Sequence, residues 1–491
     1  MKTTSFAHRC RATMMSAAIA LSTAMALCAC GGGSGSSVPP PETGNQPGNQ
    51  PVIPPVVAPP VVAPPVVVTP PVVTNPPVTP SDPPIIIIKP PENKPGGSPL
   101  NPVAAVIGDD NVAPVYVDAG PANGNGSTPN TIFVDVKICA PGNANNCAVI
   151  DHVLVDTGSV GLRVFAADMP SQLLGSLASA TSGGEPLGQC LSFISGTTWG
   201  SVRRADIRMG GTNQGGKLAT NMAIQIIADP GATFASIPAT CQTQGSMLKT
   251  AADIGAKGII GVGLFAQDCG SACTVFAAPV YYACSSAPCH QIPVPLADQV
   301  GNPLTGFGAD NNGNIIILPT LSNHVADRAE GMLIFGLGTR SNNALPAGSS
   351  VLAATNLGYF SSDFNGRTLS NSLIDSGSTI NYFPAGGNFI SCGGAISSFF
   401  CPGGALSLTA SNTGRAGTVS TVSILTVDAS AAFNANPTAH AFEGLAGAVR
   451  APYQTLTMGA SFFFGRSVGL LIDGRSAVGV SATGPAFTHT P

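Results

Sequence analysis

The sequence predicts an all-β fold built from two related lobes, and three observations carry that expectation. After Pro102 the chain breaks into short apolar or alternating runs bounded by Gly, Asn, Ser and Pro, and few stretches hold a helical period for three turns. Only 9% of the residues are charged while 59 are Gly, which argues against coiled coils and charged disordered tails. Two segments half a folded chain apart read alike, as a duplicated lobe would: Val153-Leu154-Val155-Asp156-Thr157-Gly158-Ser159 and Ser372-Leu373-Ile374-Asp375-Ser376-Gly377-Ser378.

The elements follow in chain order. Lys2, His8, Arg9 and Arg11 precede an apolar run from Met14 to Leu27. That run is shorter than a membrane span, and a small-residue junction follows it, as in a cleaved export signal. Leu27-Cys28-Ala29-Cys30 resembles a bacterial lipobox, which implies cleavage before Cys30, lipidation of its thiol and a membrane anchor. Gly31 after the cysteine points by the same resemblance to the outer membrane of a bacterial envelope. Of the 13 cysteines, Cys10 and Cys28 leave with the signal and Cys30 is lipidated, so an even number enters an oxidising compartment. Cys139 with Cys147 and Cys392 with Cys401 are spaced for local disulfides; Cys190, Cys241, Cys269, Cys273, Cys284 and Cys289 supply three more of open connectivity. The spacing of Cys269, Cys273, Cys284, Cys289 and His290 also suits zinc, and export favours disulfides over it.

Just over half of the 44 prolines fall between residues 38 and 102, in units such as Pro-Pro-Val-Val. Such density suits polyproline II and a spacer of about 200 Å when extended. The expected organisation is a signal peptide (1–29), a lipidated N-terminus (30–37), a Pro/Val-rich linker (38–102), an N-terminal β lobe (103–342) and a C-terminal β lobe (343–491). Expected strands include 131–138, 149–155, 222–227, 258–262, 315–318, 332–335, 419–427 and 468–472. With 20 Lys and Arg against 24 Asp and Glu, no basic stripe exists for phosphates, so no nucleic-acid partner is expected.

The paired Asp motifs carry the chemistry. Two carboxylates within about 3 Å of each other hold one proton between them and can bind a shared water. Glycine at 158 and 377 lets each turn bring backbone N–H groups close to the acids. Ser159 and Ser378 are placed to donate to the outer carboxylate oxygens, and Thr157 and Ser376 to brace the two turns against each other.

Here the sequence resembles the pepsin-like aspartic peptidases, in the family's order over most of Asn130 to Val478. Asn130–Val164 looks like the opening hairpin and first active-site loop, and Ala256–Gly263 like the segment supporting the first aspartate. Gly331–Gly336 is similar to the strand near the lobe junction; Thr457–Gly459 and Phe462 to the second support; and Ile472-Asp473 with Val478-Gly479 to the closing strands. The resemblance implies a bilobed fold with a cleft between lobes, catalytic Asp156 and Asp375, and a peptide substrate lying as an extra strand beneath a β-hairpin flap. It implies no metal and no organic cofactor, since the nucleophile is water.

Two departures matter. Aligning Gly196, Gly200 and Gly210 with the flap puts Phe193 where the family has tyrosine and Arg163 where it has the tryptophan that bonds it. Trp199, the only tryptophan, is expected on the same flap, covering Arg163 through a cation–π contact. The rival expectation is a non-catalytic envelope lipoprotein of the same fold that binds peptides or serves as a scaffold. Two further motifs are set aside. Gly465-Arg466-Ser467-Val468-Gly469, with Asp473 and His489, lacks the strand–helix setting of a nucleophile elbow. Gly261 to Ala266 lacks the βαβ unit of a dinucleotide loop.

Overall fold

A computed structural model describes residues 105–491 apart from 125, 127, 286, 287, 451 and 452. The signal, Cys30 and the linker lie outside the described residues.

The described chain is predominantly β: a 17-stranded curled sheet, a seven-stranded sheet and a two-stranded ribbon. Helices are short; the longest α-helix among the described residues, Ala429–Ala435, has 7 residues and is capped by the Asp428 carboxylate accepting from Ala431 N. None of these helices is long and apolar enough to cross a membrane.

The side-chain pattern explains where each strand sits. Val419–Thr426 alternates exposed and buried positions along its length, as a strand with one wet face must, and pairs antiparallel with Leu406–Thr413. Gly258–Val262 is buried throughout, because it is flanked on both edges: parallel to Val153–Asp156 and antiparallel to Val160–Val164. The expected run 131–138 begins as the strand Phe133–Ala140, and 149–155 is the second half of Asn143–Asp156. In the second half of the chain Phe364, Phe383, Phe389 and Phe400 form a cluster with neighbouring ring centroids 5.0 to 5.7 Å apart, in the edge-on and tilted geometries that ring quadrupoles favour.

The expected split at 342/343 does not separate two sheets. Ser467–Leu471 pairs with Gly313–Ile317, and Ala486–His489 pairs with Ser350–Ala353, so the end of the chain completes the large sheet that carries Asn143–Asp156. Linear order does not reveal which free edge a closing strand will fill.

Five disulfides staple the fold: Cys139–Cys147 and Cys392–Cys401 as expected, and Cys190–Cys241, Cys269–Cys273 and Cys284–Cys289. The cysteines with zinc-like spacing therefore pair with each other, which corrects the zinc alternative.

Candidate active site

Asp156 ends the strand Asn143–Asp156, and Asp375 follows the strand Arg367–Ile374. Each loop is held by a third segment threaded beside it. Gly258–Val262 sets Ile260 opposite Val155 and Gly261 opposite both Asp156 and Gly161. Thr457–Met458 runs parallel to Leu373–Ile374 and antiparallel to Tyr382. The supports also bond the far ends of the loops: Gly263 N donates to Ser159 O at 3.0 Å and Ala460 N to Ser378 O at 2.7 Å. A Cβ at Gly261 or Gly459 would run into the backbone of the loop it supports. The same arrangement is thus built twice from sequences that share only the Asp-hydroxyl-Gly-hydroxyl core.

The two loops are locked to one another by four crossed hydrogen bonds. Thr157 N donates to Ser376 Oγ (3.0 Å) and Ser376 N to Thr157 Oγ1 (2.9 Å), while Thr157 Oγ1 donates to Ile374 O (3.1 Å) and Ser376 Oγ to Val155 O (2.7 Å). Thr157 and Ser376 are buried, so each bond is shielded from water. A further tie comes from Asn130, in the left-handed region at φ 67°, whose amide bonds Phe442 O (2.9 Å) and Ser461 Oγ (3.0 Å). Ser376→Ala leaves the Thr157 N–H and the Val155 carbonyl buried without partners, and the expected loss is about 2 to 5 kcal/mol of unfolding free energy. Urea denaturation checks this; a midpoint unchanged from wild type would show that the crossed bonds contribute nothing.

The carboxylates are dressed almost identically. Gly158 N donates to Asp156 Oδ1 (2.8 Å) and Ser159 Oγ to Oδ2 (2.5 Å). Gly377 N donates to Asp375 Oδ1 (2.9 Å) and Ser378 Oγ to Oδ2 (2.7 Å). The Oδ1 atoms face inwards: a Cβ on Gly158 would lie 2.6 Å from Asp375 Oδ1. Asp156 is 7% exposed, and its pKa is pushed up to about 7, first by burial and then by the charge of Asp375. The Ser159 and Gly158 hydrogen bonds oppose that rise. Below about pH 7 the Asp156 carboxyl therefore holds a proton beside Asp375. Gly158 is exposed and Ser159, Asp375, Gly377 and Ser378 are half-buried, so this lip of the pair meets solvent. Such an arrangement offers one acid and one base side by side.

The hairpin Glu185–Phe193 and Gly196–Met209 lies beside the first loop, with Phe193 opposite Gly196 and Cys190 opposite Trp199. Arg163 is fully buried, and the ring over its guanidinium is that of Phe193, 6.0 Å from the centroid. Trp199 does not cover Arg163. It is 3% exposed, its Nε1 donates to Phe234 O (2.9 Å), and it meets Tyr282 edge-on at 5.3 Å. Strand alternation explains the correction. Gln189, Leu191 and Phe193 share the face turned to Arg163, whereas Cys190 and its partner Trp199 point to the opposite face.

Sequence reasoning missed Asp268, Gln189 and Tyr281, which surround Arg163. Arg163 Nη2 bonds Asp268 Oδ2 (2.7 Å), and Asp268 also accepts from Tyr281 Oη (2.6 Å) and Gln189 Nε2 (2.5 Å). Burial pushes the Asp268 carboxyl up and the Arg163 guanidinium down, and each partner's charge opposes that shift. No local pattern marks an acid that meets its partner only after the support strand has turned.

A family model described as "Protein of unknown function (DUF3443)" matches residues 108–488. The chain belongs to this family. The DUF3443 match spans both Asp loops, their supports, the hairpin and all the disulfides, and leaves out Cys30 and the linker. A search of curated proteins finds no match to the chain. Just beyond this DUF3443 segment, His489 is engaged by Ser420 Oγ (3.0 Å) and the Thr490 carbonyl (2.9 Å), away from any nucleophile-elbow role. Gly261 belongs to the support strand. Among the described residues no cluster of His, Cys, Asp and Glu is arranged to hold a metal ion.

Proposed function

We propose that this DUF3443 protein is a pepsin-like aspartic endopeptidase, anchored by lipid at Cys30 to a bacterial envelope membrane and hydrolysing extended peptides between two lobes. The observation that carries the reading is the pair Asp156 and Asp375, facing each other with matching donors, with the Asp156 carboxyl pushed up by burial and by the charge of Asp375. In this mechanism the ionised carboxylate removes a proton from a water held between the two acids, and the protonated one donates to the substrate carbonyl oxygen. The resulting gem-diol collapses as a proton passes to the amide nitrogen, so the C–N bond breaks without a covalent enzyme intermediate. Hydroxyl donors from Ser159 and Ser378 steady both acids through the cycle.

Phe193 and Arg163, where the resemblance implies tyrosine and tryptophan, favour a second reading in which the same groove binds peptides without turnover. One experiment separates the two. The purified protein is incubated with a denatured protein from about pH 3 to about pH 8, alone and with a peptide whose scissile carbonyl is replaced by a secondary alcohol. Expected are cleavage that fades above about pH 7 and suppression by the alcohol peptide. Alcohol-peptide binding with no cleavage at any pH would leave only the binding reading; neither binding nor cleavage would remove both.

A further inference from the structure

We propose that the buried Arg163–Asp268 pair is a latch that fixes the hairpin Glu185–Met209 against the first aspartate loop, with Phe193 as its contact at the tip. Four segments converge on this one ion pair. Arg163 Nη1 donates to Val160 O (2.6 Å) and Gly161 O (3.2 Å), on the strand that leaves Asp156-Thr157-Gly158-Ser159. Its Nη2 meets Asp268 on the loop beyond the support strand. Asp268 in turn accepts from Gln189 on the hairpin and from Tyr281, whose hydroxyl also bonds Val300 N (2.7 Å). Gln225 then joins both hairpin strands, donating to Gln189 O (2.8 Å) and accepting from Thr198 Oγ1 (2.9 Å).

An ion pair this deep is a poor source of stability, because desolvating both charges offsets most of their attraction; an apolar pair of equal volume would pack at least as well. What the charged pair adds is direction. A planar guanidinium fork bonded to the loop backbone on one side and to a shared carboxylate on the other sets the hairpin's register relative to Asp156. Arg163 Nε and Gln189 Oε1 are buried without hydrogen-bond partners, as fits a network strung between segments rather than saturated for stability. The tip itself is apolar and projects: Ile194 is 95% exposed next to half-buried Phe193. On the side away from the acids the hairpin is held by Thr197 N donating to Ser246 O (2.8 Å) and by the Cys190–Cys241 disulfide, so Phe193 is its contact on the Arg163 side while Ile194 stands clear. As a consequence for catalysis, which rests on the peptidase reading, Phe193 and Arg163 act as positioning residues that order the substrate-covering hairpin.

Amide hydrogen exchange on the full-length protein tests the latch without requiring turnover. In Phe193→Ala, exchange of peptides covering residues 191–198 is expected to rise about tenfold, with residues 143–156 unchanged. Arg163→Lys, which keeps the charge but loses the fork, is expected to raise it by about threefold. Ile194→Ala, which touches no part of the network, is expected to exchange as wild type. If cleavage is found, Phe193→Ala should raise KM several-fold while kcat stays within about twofold. Tip exchange equal to wild type in both Phe193→Ala and Arg163→Lys would overturn the latch. A protein that cleaves nothing but shows the tip effect would fail the peptidase reading and keep the latch.

Discussion

Asp156→Asn is expected to abolish hydrolysis and at the same time to stabilise the protein at neutral pH. The two effects have one cause. In the folded chain the Asp156 pKa is about 7, against an ordinary value of 3.8, because the carboxylate is buried beside Asp375. A carboxyl group whose folded pKa is raised binds its proton more tightly in the native state. Its contribution is therefore fully present below the unfolded value near 3.8 and is lost as pH rises through about 7. At about pH 8 the folded chain holds a charge that the unfolded chain would carry more easily, a cost of up to about 4 kcal/mol. Asn removes that charge with little change of shape. Denaturant unfolding of wild type should show stability falling between about pH 4 and about pH 7, and the variant should not share that fall. Turnover should drop by at least about 1,000-fold, since Asp375 alone cannot serve as base towards water and as acid towards the carbonyl oxygen at once. Parallel pH curves for the two proteins would mean that the acids do not face one another as described.

Gly377→Ala should cost about 100-fold in kcat while leaving the protein folded. The added methyl would sit against the Asp156 carboxylate, with Cγ at 2.7 Å, and 3.2 Å from Asp375 Oδ1. That carboxylate cannot swing away freely, because Gly158 N and Ser159 Oγ hold its two oxygens. The methyl is then accommodated only by parting the acids, and a displacement of about 1 Å is enough to lose that much rate. Gly308→Ala is the matched control, since a Cβ there meets nothing within 4 Å. A Gly377→Ala protein with wild-type kcat would show that the close approach of the loops is not needed for the reaction.

Much of the site was legible because its signals are local. Each aspartate follows a run of apolar residues, and the residue after each hydroxyl had to be glycine for the loops to meet, so four consecutive letters, twice, marked the place where the loops converge. The disulfides of short span, Cys139–Cys147 and Cys392–Cys401, were readable from spacing alone; Cys190–Cys241 joins the hairpin to a segment 51 residues on and was not. Trp199 shows how a small offset misleads. Its place on the hairpin was foreseen, but its face depends on the register set by the turn at Ile194 and Ser195, and one step of a strand reverses the side to which a ring points.

The order of residues alone settled the strand-rich character of the chain, the two Asp-hydroxyl-Gly-hydroxyl turns and the disulfides Cys139–Cys147 and Cys392–Cys401, since each rests on side-chain period or on neighbours a few positions apart. The tertiary structure decided what those parts meet: Thr157 with Ser376, Arg163 with Asp268 and Phe193, and the last strands with Gly313–Ile317. Such contacts depend on which edges and faces remain free once the sheets have curled, and that competition for burial is a property of the whole chain rather than of any segment of it.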